Sequence, residues 1–308
     1  MRVIGLFDAH AGLWPTDPSP GYVPLERTTE VARAARLSGI SSTIGLHTPD
    51  HRMDAERANA WESLRRVMER ARLAGLTFSP FLLDALTLRG GGYGAEGQRL
   101  AYAEWCEEIA HAASDVRAPL EAALLDDYAN GQNVGVFSRD KLAEIVTGVW
   151  RWCSATPVCP IIYWYMVVED WRRLQVDLNQ PGVRPLFVFR GESSFPTGAY
   201  KVNLKAIDRF PYEWRFVSRV FENPAVAVSA TANGDPLGPS MSALTKLLRM
   251  AGDVSDLVYL YKAYTRVGDG EVTPGGIINY KTVAPTTVKA EWAHRTRQMA
   301  GIRAALPA

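Results

Sequence analysis

The sequence predicts a single (β/α)8 barrel of the TIM type spanning residues 1–308. Three observations carry this expectation. Eight short apolar runs alternate with amphipathic or Ala-rich helical stretches. They recur about every 37 residues, the length that a parallel strand, a helix and two loops consume. No Gly-x-Gly-x-x-Gly turn follows the first run and no phosphate-loop pattern occurs anywhere, which sets aside an open doubly wound sheet.

The runs read as strands are Arg2–Asp8, Ser42–His47, Thr77–Leu83, Glu121–Asp127, Pro160–Met166, Leu186–Arg190, Ala225–Ala230 and Leu257–Tyr264. Between the first two, Thr28-Thr29-Glu30 opens an Ala/Arg-rich helix that stops at Ser38-Gly39. Asp54 to Ala74 is a long helical pattern with Leu64, Val67 and Met68 on one face, closed by Gly75. Gly97 to Ala113 turns Trp105 and Ile109 inward. A helix starting at Ser138 runs to Trp152, and another from Met241 to Met250 ends before Gly252. A last helix, Thr287 to Ala305, is expected to pack back on the first unit. Glycine-closed helices leading into apolar strands are the signature of βα units. Gly90-Gly91-Gly92-Tyr93-Gly94 reads as a loop, and Trp150, Trp152 and Trp171, at helical spacings, as core.

Composition narrows function by exclusion. A net charge of +1 speaks against a nucleic-acid partner, and no run of eighteen apolar residues offers a membrane span. The first seven residues, cut short by Asp8, do not form a signal peptide, which leaves a cytoplasmic protein or a part of a viral particle as expectations. Three cysteines (Cys106, Cys153, Cys159) suit a reducing compartment, with a Cys153–Cys159 bridge as the alternative.

A barrel of this class places its chemistry at the C-terminal ends of the strands. Those ends carry polar residues that a core would reject: Asp8 and His10 after the first, His47 after the second, Asp126 and Asp127 at the fourth, Trp164 and Tyr165 at the fifth, Arg190 and Glu192 at the sixth, Lys262 in the eighth. Carboxylates mixed with aromatic rings suit a carbohydrate ligand, since pyranose faces stack on Trp and Tyr while charged groups bind hydroxyls. Glycoside hydrolysis needs two carboxyl groups in different environments. Asp127 and Glu192 are the proposed catalytic pair, and the other eight residues line the substrate site. Asp126 and Asp127 point to opposite sides of a strand, so only one faces the axis.

No cofactor is expected. A metal-dependent, amidohydrolase-like site built on Asp8, His10, His47 and a strand-four acid ranks second, short of ligands because strands five to eight supply no histidine. A Ser-His-Asp nucleophile lacks its Gly-x-Ser-x-Gly elbow.

Several segments carry a family resemblance. Phe7-Asp8-Ala9-His10-Ala11-Gly12-Leu13-Trp14-Pro15 is similar to the first strand end of barrel glycoside hydrolases of the endo-mannosidase and endo-glucanase type. Ser38-Gly39-Ile40 before the second strand, Ala74-Gly75-Leu76 before the third, and Leu125-Asp126-Asp127-Tyr128 at the fourth add to it. The resemblance implies a carbohydrate-cleaving barrel. The chain departs from the pattern at its last strand, where Tyr259-Leu260-Tyr261-Lys262-Ala263-Tyr264-Thr265 has no glutamate. A barrel that keeps the aromatic mouth and lacks one acid would bind glycans without cleaving them, as a structural or adhesion module of a larger, even viral, assembly.

Overall fold

The computed structural model describes residues 1–7, 29, 32–33, 36–44, 65–82, 95–125, 138–189, 206–229 and 241–264. Eight parallel strands close into one barrel in chain order: β1 (Arg2–Phe7), β2 (Gly39–Ile44), β3 (Thr77–Leu82), β4 (Ala123–Leu125), β5 (Val158–Tyr163), β6 (Leu186–Phe189), β7 (Ala225–Ser229) and β8 (Leu257–Tyr264). β8 pairs back onto β1, and the registers stagger by about eight residues in one circuit, the shear this barrel class requires. Helices α1 (Ala95–Asp115), α2 (Arg139–Trp152), α3 (Trp164–Leu178), α4 (Ala206–Val220) and α5 (Met241–Val254) follow strands three to seven, and residues 65–73 are helical before β3. Among the described residues no helix is long and apolar enough to cross a membrane. The Gly90–Gly94 loop and the helix expected over Thr287–Ala305 lie outside the described residues.

One hydrogen bond fixes which side of each strand faces the axis. The Ser79 hydroxyl of β3 meets the Tyr259 hydroxyl of β8 at 2.9 Å, and strands that are not neighbours can touch only through the interior. Ser41 of β2 donates to the Ser79 carbonyl at 2.7 Å, so a buried polar chain crosses the barrel. From Tyr259 the registers carry the inward row to Ile4, Gly39 and Ala227, then to Val188 and Tyr163, and through Ser79 and β4 to Leu124 and Cys159. Small residues on β2, β3 and β7 leave room for the Tyr259 ring, the large-against-small filling that barrel interiors need.

The alternate residues face the helices. Phe187 packs on Phe221, with ring centres 4.9 Å apart, and Phe189 on Phe210 at 4.6 Å, joining β6 to α4 and its end. Both rows of β4, β5 and β6 are therefore buried, which explains their unbroken apolar sequences.

Helix-to-strand turns repeat one device. Arg36, Gly75 and Arg117 take left-handed backbone angles, with φ of 53°, 71° and 53°. The next residue in each case (Leu37, Leu76, Ala118) returns its N–H to the carbonyl five positions back (Ala32, Ala71, Ala113) at 2.9, 2.9 and 2.8 Å, and buries its side chain. This is a Schellman ending, the apolar residue after it anchoring the turn to the core.

Two expectations are corrected. β5 ends at Tyr163, and Trp164, Tyr165 and Met166 begin α3. Strand preference of the aromatic run yields to packing: Met166 and Val167 are buried, and Trp164 sets its ring edge-on to Phe216 of α4, 6.1 Å between centres. Of the tryptophans read as core, Trp150 and Trp152 keep 39% and 42% exposure. Trp152 stacks on His111 of α1 at 3.8 Å. The three cysteines are free thiols: Cys159 lies in the inward row of β5, and Cys153 caps α2 with its thiol directed at the Ala110 carbonyl, so no Cys153–Cys159 bridge forms.

Candidate active site

The strand C-terminal ends share one rim, and its floor is built first. The uppermost described inward side chains on β4, β5 and β6 are Leu124, Tyr163 and Val188, all buried. On these three strands, charge at this end must therefore come from residues beyond the strand. A floor of this kind excludes water from beneath a ligand, which strengthens the electrostatic interactions made above it.

Two features of the backbone shape the rim. α3 begins directly after β5 with no intervening loop: Tyr163 is both the last strand residue and the residue before the first helical turn. The helix is interrupted at Asp170 (φ −152°, ψ 57°), whose carboxylate accepts the Arg173 N–H at 3.3 Å and so caps the second half. On the opposite side, the β1–β8 register slips: Gly5 pairs with Leu260 but Phe7 pairs with Tyr264. Two extra residues of β8 are accommodated in that irregularity, and Lys262 stands within it. Bulges at barrel rims re-aim side chains and gather near active sites.

The sequence-derived candidates fall as follows. Asp8, Asp126 and Arg190 are the residues next in sequence after the last described positions of β1, β4 and β6. With His10, His47, Asp127 and Glu192 they lie outside the described residues. Lys262 is placed by its backbone in β8, and Tyr165 by its backbone in α3. Trp164 is partly buried against the core and against Phe216. Its ring therefore packs α3 against α4.

Other chemistry among the described residues is readily accounted for. Burial pushes the Cys159 thiol up to about 12, with Arg184 opposing and Glu121 adding, and burial raises Cys106 and Cys153 as well. None is a thiolate nucleophile near neutral pH. No cluster of three or more His, Cys, Asp or Glu capable of holding a metal occurs among the described residues. His111 lies on the outer face of α1, stacked on Trp152 with its Nε2 3.5 Å from Asp115.

A second charged group, missed in the sequence, sits at the opposite end of the barrel. Arg2 pairs with buried Glu121 at 2.5 Å and with Asp256 at 3.2 Å, while buried Arg184 binds Asp256 at 2.5 Å. Burial alone would raise the Asp256 carboxyl. The hydrogen bond and charge of Arg184, joined by those of Arg2, outweigh it and hold the group below its ordinary value. These four residues all stand at or just before strand starts, far along the chain from one another, so only the closed barrel brings them together.

With the geometry in place, the likeness to solved proteins is specific as to fold. An exo-β-1,4-mannosidase from Opitutaceae bacterium strain TAV5 superposes with a TM-score of 0.63 at 11% identity, over 96% of this chain and 60% of that one. A GH5_18 protein from Bifidobacterium longum subsp. longum, crystallised with Manβ1-4GlcNAc, gives 0.65 at 12% identity, over 100% of this chain and 80% of the other. Another GH5_18 protein, from Streptomyces cattleya and with the same disaccharide, gives 0.59 at 15% identity, over 96% and 81%. The fold is the one these glycosidase barrels share. The chain spans 60% of the length of the mannosidase. No family model and no curated protein matches the sequence.

Proposed function

We propose that this chain is a glycoside hydrolase-like enzyme that cleaves a carbohydrate at the C-terminal mouth of the barrel, with Asp127 and Glu192 as its two carboxyl groups. The observation that carries the reading is the match of the whole barrel to glycosidases, two of them holding Manβ1-4GlcNAc. A β-linked mannoside is therefore the first substrate class to test. One carboxyl donates its proton to the leaving oxygen. The other, ionised, attacks the anomeric carbon or activates the attacking water. A separation of about 5–5.5 Å gives retention and about 6.5–9.5 Å inversion. Asp8, His10, His47, Asp126, Arg190 and Lys262, with Tyr165, supply hydrogen bonds and a stacking surface for the sugar. Trp164 belongs to the same wall, at the α3–α4 contact.

Leu124 occupies the inward row of β4, and the acids Asp126 and Asp127 follow that strand in sequence. Asp126 therefore enters the test beside Asp127. The assay is release of mannose from Manβ1-4GlcNAc by the full chain and by Asp126→Asn, Asp127→Asn and Glu192→Gln. Loss of an acid or base group lowers turnover about 10²–10⁴-fold, with the unfolding midpoint unchanged. Unaltered turnover in both Asp127→Asn and Glu192→Gln would remove the pair from the mechanism.

A non-catalytic glycan-binding barrel is the second reading, favoured by one observation: β7 (Ala-Val-Ala-Val-Ser) and β8 (Leu-Val-Tyr-Leu-Tyr-Lys-Ala-Tyr) contain no acid. It predicts sugar binding that survives loss of either carboxyl and no turnover in the native protein.

A further inference from the structure

We propose that the N-terminal face of the barrel carries a second carbohydrate-binding site, in which one pyranose unit lies on Trp150 beside the Arg2, Glu121 and Arg184 side chains. A cavity of about 620 Å³ opens there, within the range that small-molecule sites occupy. Trp150, on α2, lines it and keeps 39% exposure.

The indole is held as a platform. Its Nε1–H donates to the Thr156 carbonyl at 2.9 Å, so the polar edge is satisfied by protein. Gly182, at φ +80°, lies against the ring: a Cβ there would stand 2.7 Å from Trp150 Cζ2. Only glycine meets both the backbone angle and the close approach. A ring with its N–H engaged and backbone packed against it offers the exposed remainder to an apolar sugar face.

The polar groups around it are fixed and balanced in charge. Arg184 donates from Nε to the Asn223 carbonyl at 3.1 Å and pairs with Asp256, and Arg2 pairs with Glu121 and Asp256. Arg2 is paired with Glu121 in the cavity lining, and both Arg2 and Arg184 with Asp256 just outside it, so neither guanidinium lacks a carboxylate partner. Forked donors and carboxylate acceptors beside an exposed indole match vicinal hydroxyls of a neutral sugar. Reactions in this barrel class belong to the opposite end, so the site binds and does not cleave. It would hold a distant unit of a long glycan, or a separate chain, while the mouth does chemistry.

The experiment is an NMR titration of the full-length ¹⁵N-labelled protein with Manβ1-4GlcNAc, mannotetraose and cellotetraose in separate arms. The readout is the Trp150 indole N–H, assigned among nine tryptophans by its loss in Trp150→Phe. A saturating shift of that resonance is expected with at least one sugar at millimolar concentration, persisting in Glu192→Gln. Trp150→Ala should weaken binding at this site, followed by the backbone N–H of Asn223, by about tenfold or more. Shifts confined to other tryptophans, or none with any of the three sugars, would overturn the site. Turnover without a Trp150 shift would sink this inference and leave the mouth reading intact; a Trp150 shift without turnover would do the reverse.

Discussion

Gly75→Ala and Arg117→Gly should change stability in opposite directions although both alter one residue in the same kind of turn. Gly75 and Arg117 occupy equivalent places in successive Schellman endings, at φ 71° and 53°. A Cβ added at Gly75 meets nothing within 4 Å, so the change has no clash component. What remains is the left-handed backbone penalty, about 1–2 kcal/mol for a residue with a Cβ. Against it stands the reduced freedom of the unfolded chain, about 0.4–1 kcal/mol in the favourable direction for Gly→Ala. The net is a loss of about 0.5–1 kcal/mol for Gly75→Ala and a gain of similar size for Arg117→Gly. Urea unfolding measures both, as midpoint shifts with an unchanged slope. At an unfolding entropy of about 2.1 cal/mol/K per residue, the thermal midpoint of a 308-residue chain moves by about 1.5 °C per kcal/mol, so the two variants should straddle the parent. Two shifts of the same sign, or an Arg117→Gly variant less stable than the parent, would refute the common turn geometry.

Three further outcomes follow from the same structure. Gly39→Ala should cost more than Gly75→Ala, about 2–3 kcal/mol, because its Cβ would come within 2.7 Å of the Thr77 carbonyl and 2.8 Å of Ile4 Cδ1 inside the barrel; thermal unfolding checks this. Tyr259→Phe removes the hydroxyl that meets Ser79 and leaves a buried partner, at a cost of about 1–2 kcal/mol in urea unfolding, with no loss of the barrel. Asp256 is held below its ordinary value in the folded chain, so the unfolded state takes up its proton first as pH falls. Its stabilisation is present above the ordinary carboxylate range and disappears as pH drops through the folded value. Asp256→Asn should therefore destabilise at pH 7 by about 1 kcal/mol, a figure reduced for its exposure to solvent, and the difference from the parent should shrink toward pH 3. A difference that grew on acidification would contradict the pairing with Arg184 and Arg2.

Much of the barrel was legible because burial on both faces leaves its mark on the strands. Leu-Phe-Val-Phe and Ala-Val-Ala-Val have no polar alternation, and a glycine or other left-handed residue stands in the turn before each of β2 to β7. The β5 boundary was misplaced because Tyr163-Trp164-Tyr165 has strand preference in isolation, and the Trp164–Phe216 contact that favours a helix joins residues 52 positions apart. α4 escaped notice because Pro211 lies inside it, a residue that ordinarily ends a helix. Trp150 and Trp152 were read as core by spacing, yet the buried face of α2 is Leu142, Ile145, Val146 and Val149, and the two tryptophans flank it.

The candidate site can be read from the sequence only as residue types at strand ends, and its membership stands as a proposal. Asp8, Asp126 and Arg190 enter it because each is a charged residue that directly follows an apolar run, a place that helix caps and turn formers also occupy. Their mutual distances depend on loops whose path no local pattern dictates. The Arg2–Glu121–Arg184–Asp256 group shows the same limit from the other side. Each residue reads locally as an ordinary surface charge, and the ring closure of β8 on β1 is what assembles them.

Glycoside hydrolysis by carboxyl groups at the barrel mouth is a proposal that turnover tests. The most direct measurement is mannose release from Manβ1-4GlcNAc by the full-length protein, compared with Glu192→Gln of equal thermal stability. Measurable turnover that falls about 10²–10⁴-fold in the variant is expected. Equal turnover in the two, or no release by a folded native protein from this disaccharide and from a panel of β-mannosides and β-glucosides, would contradict it.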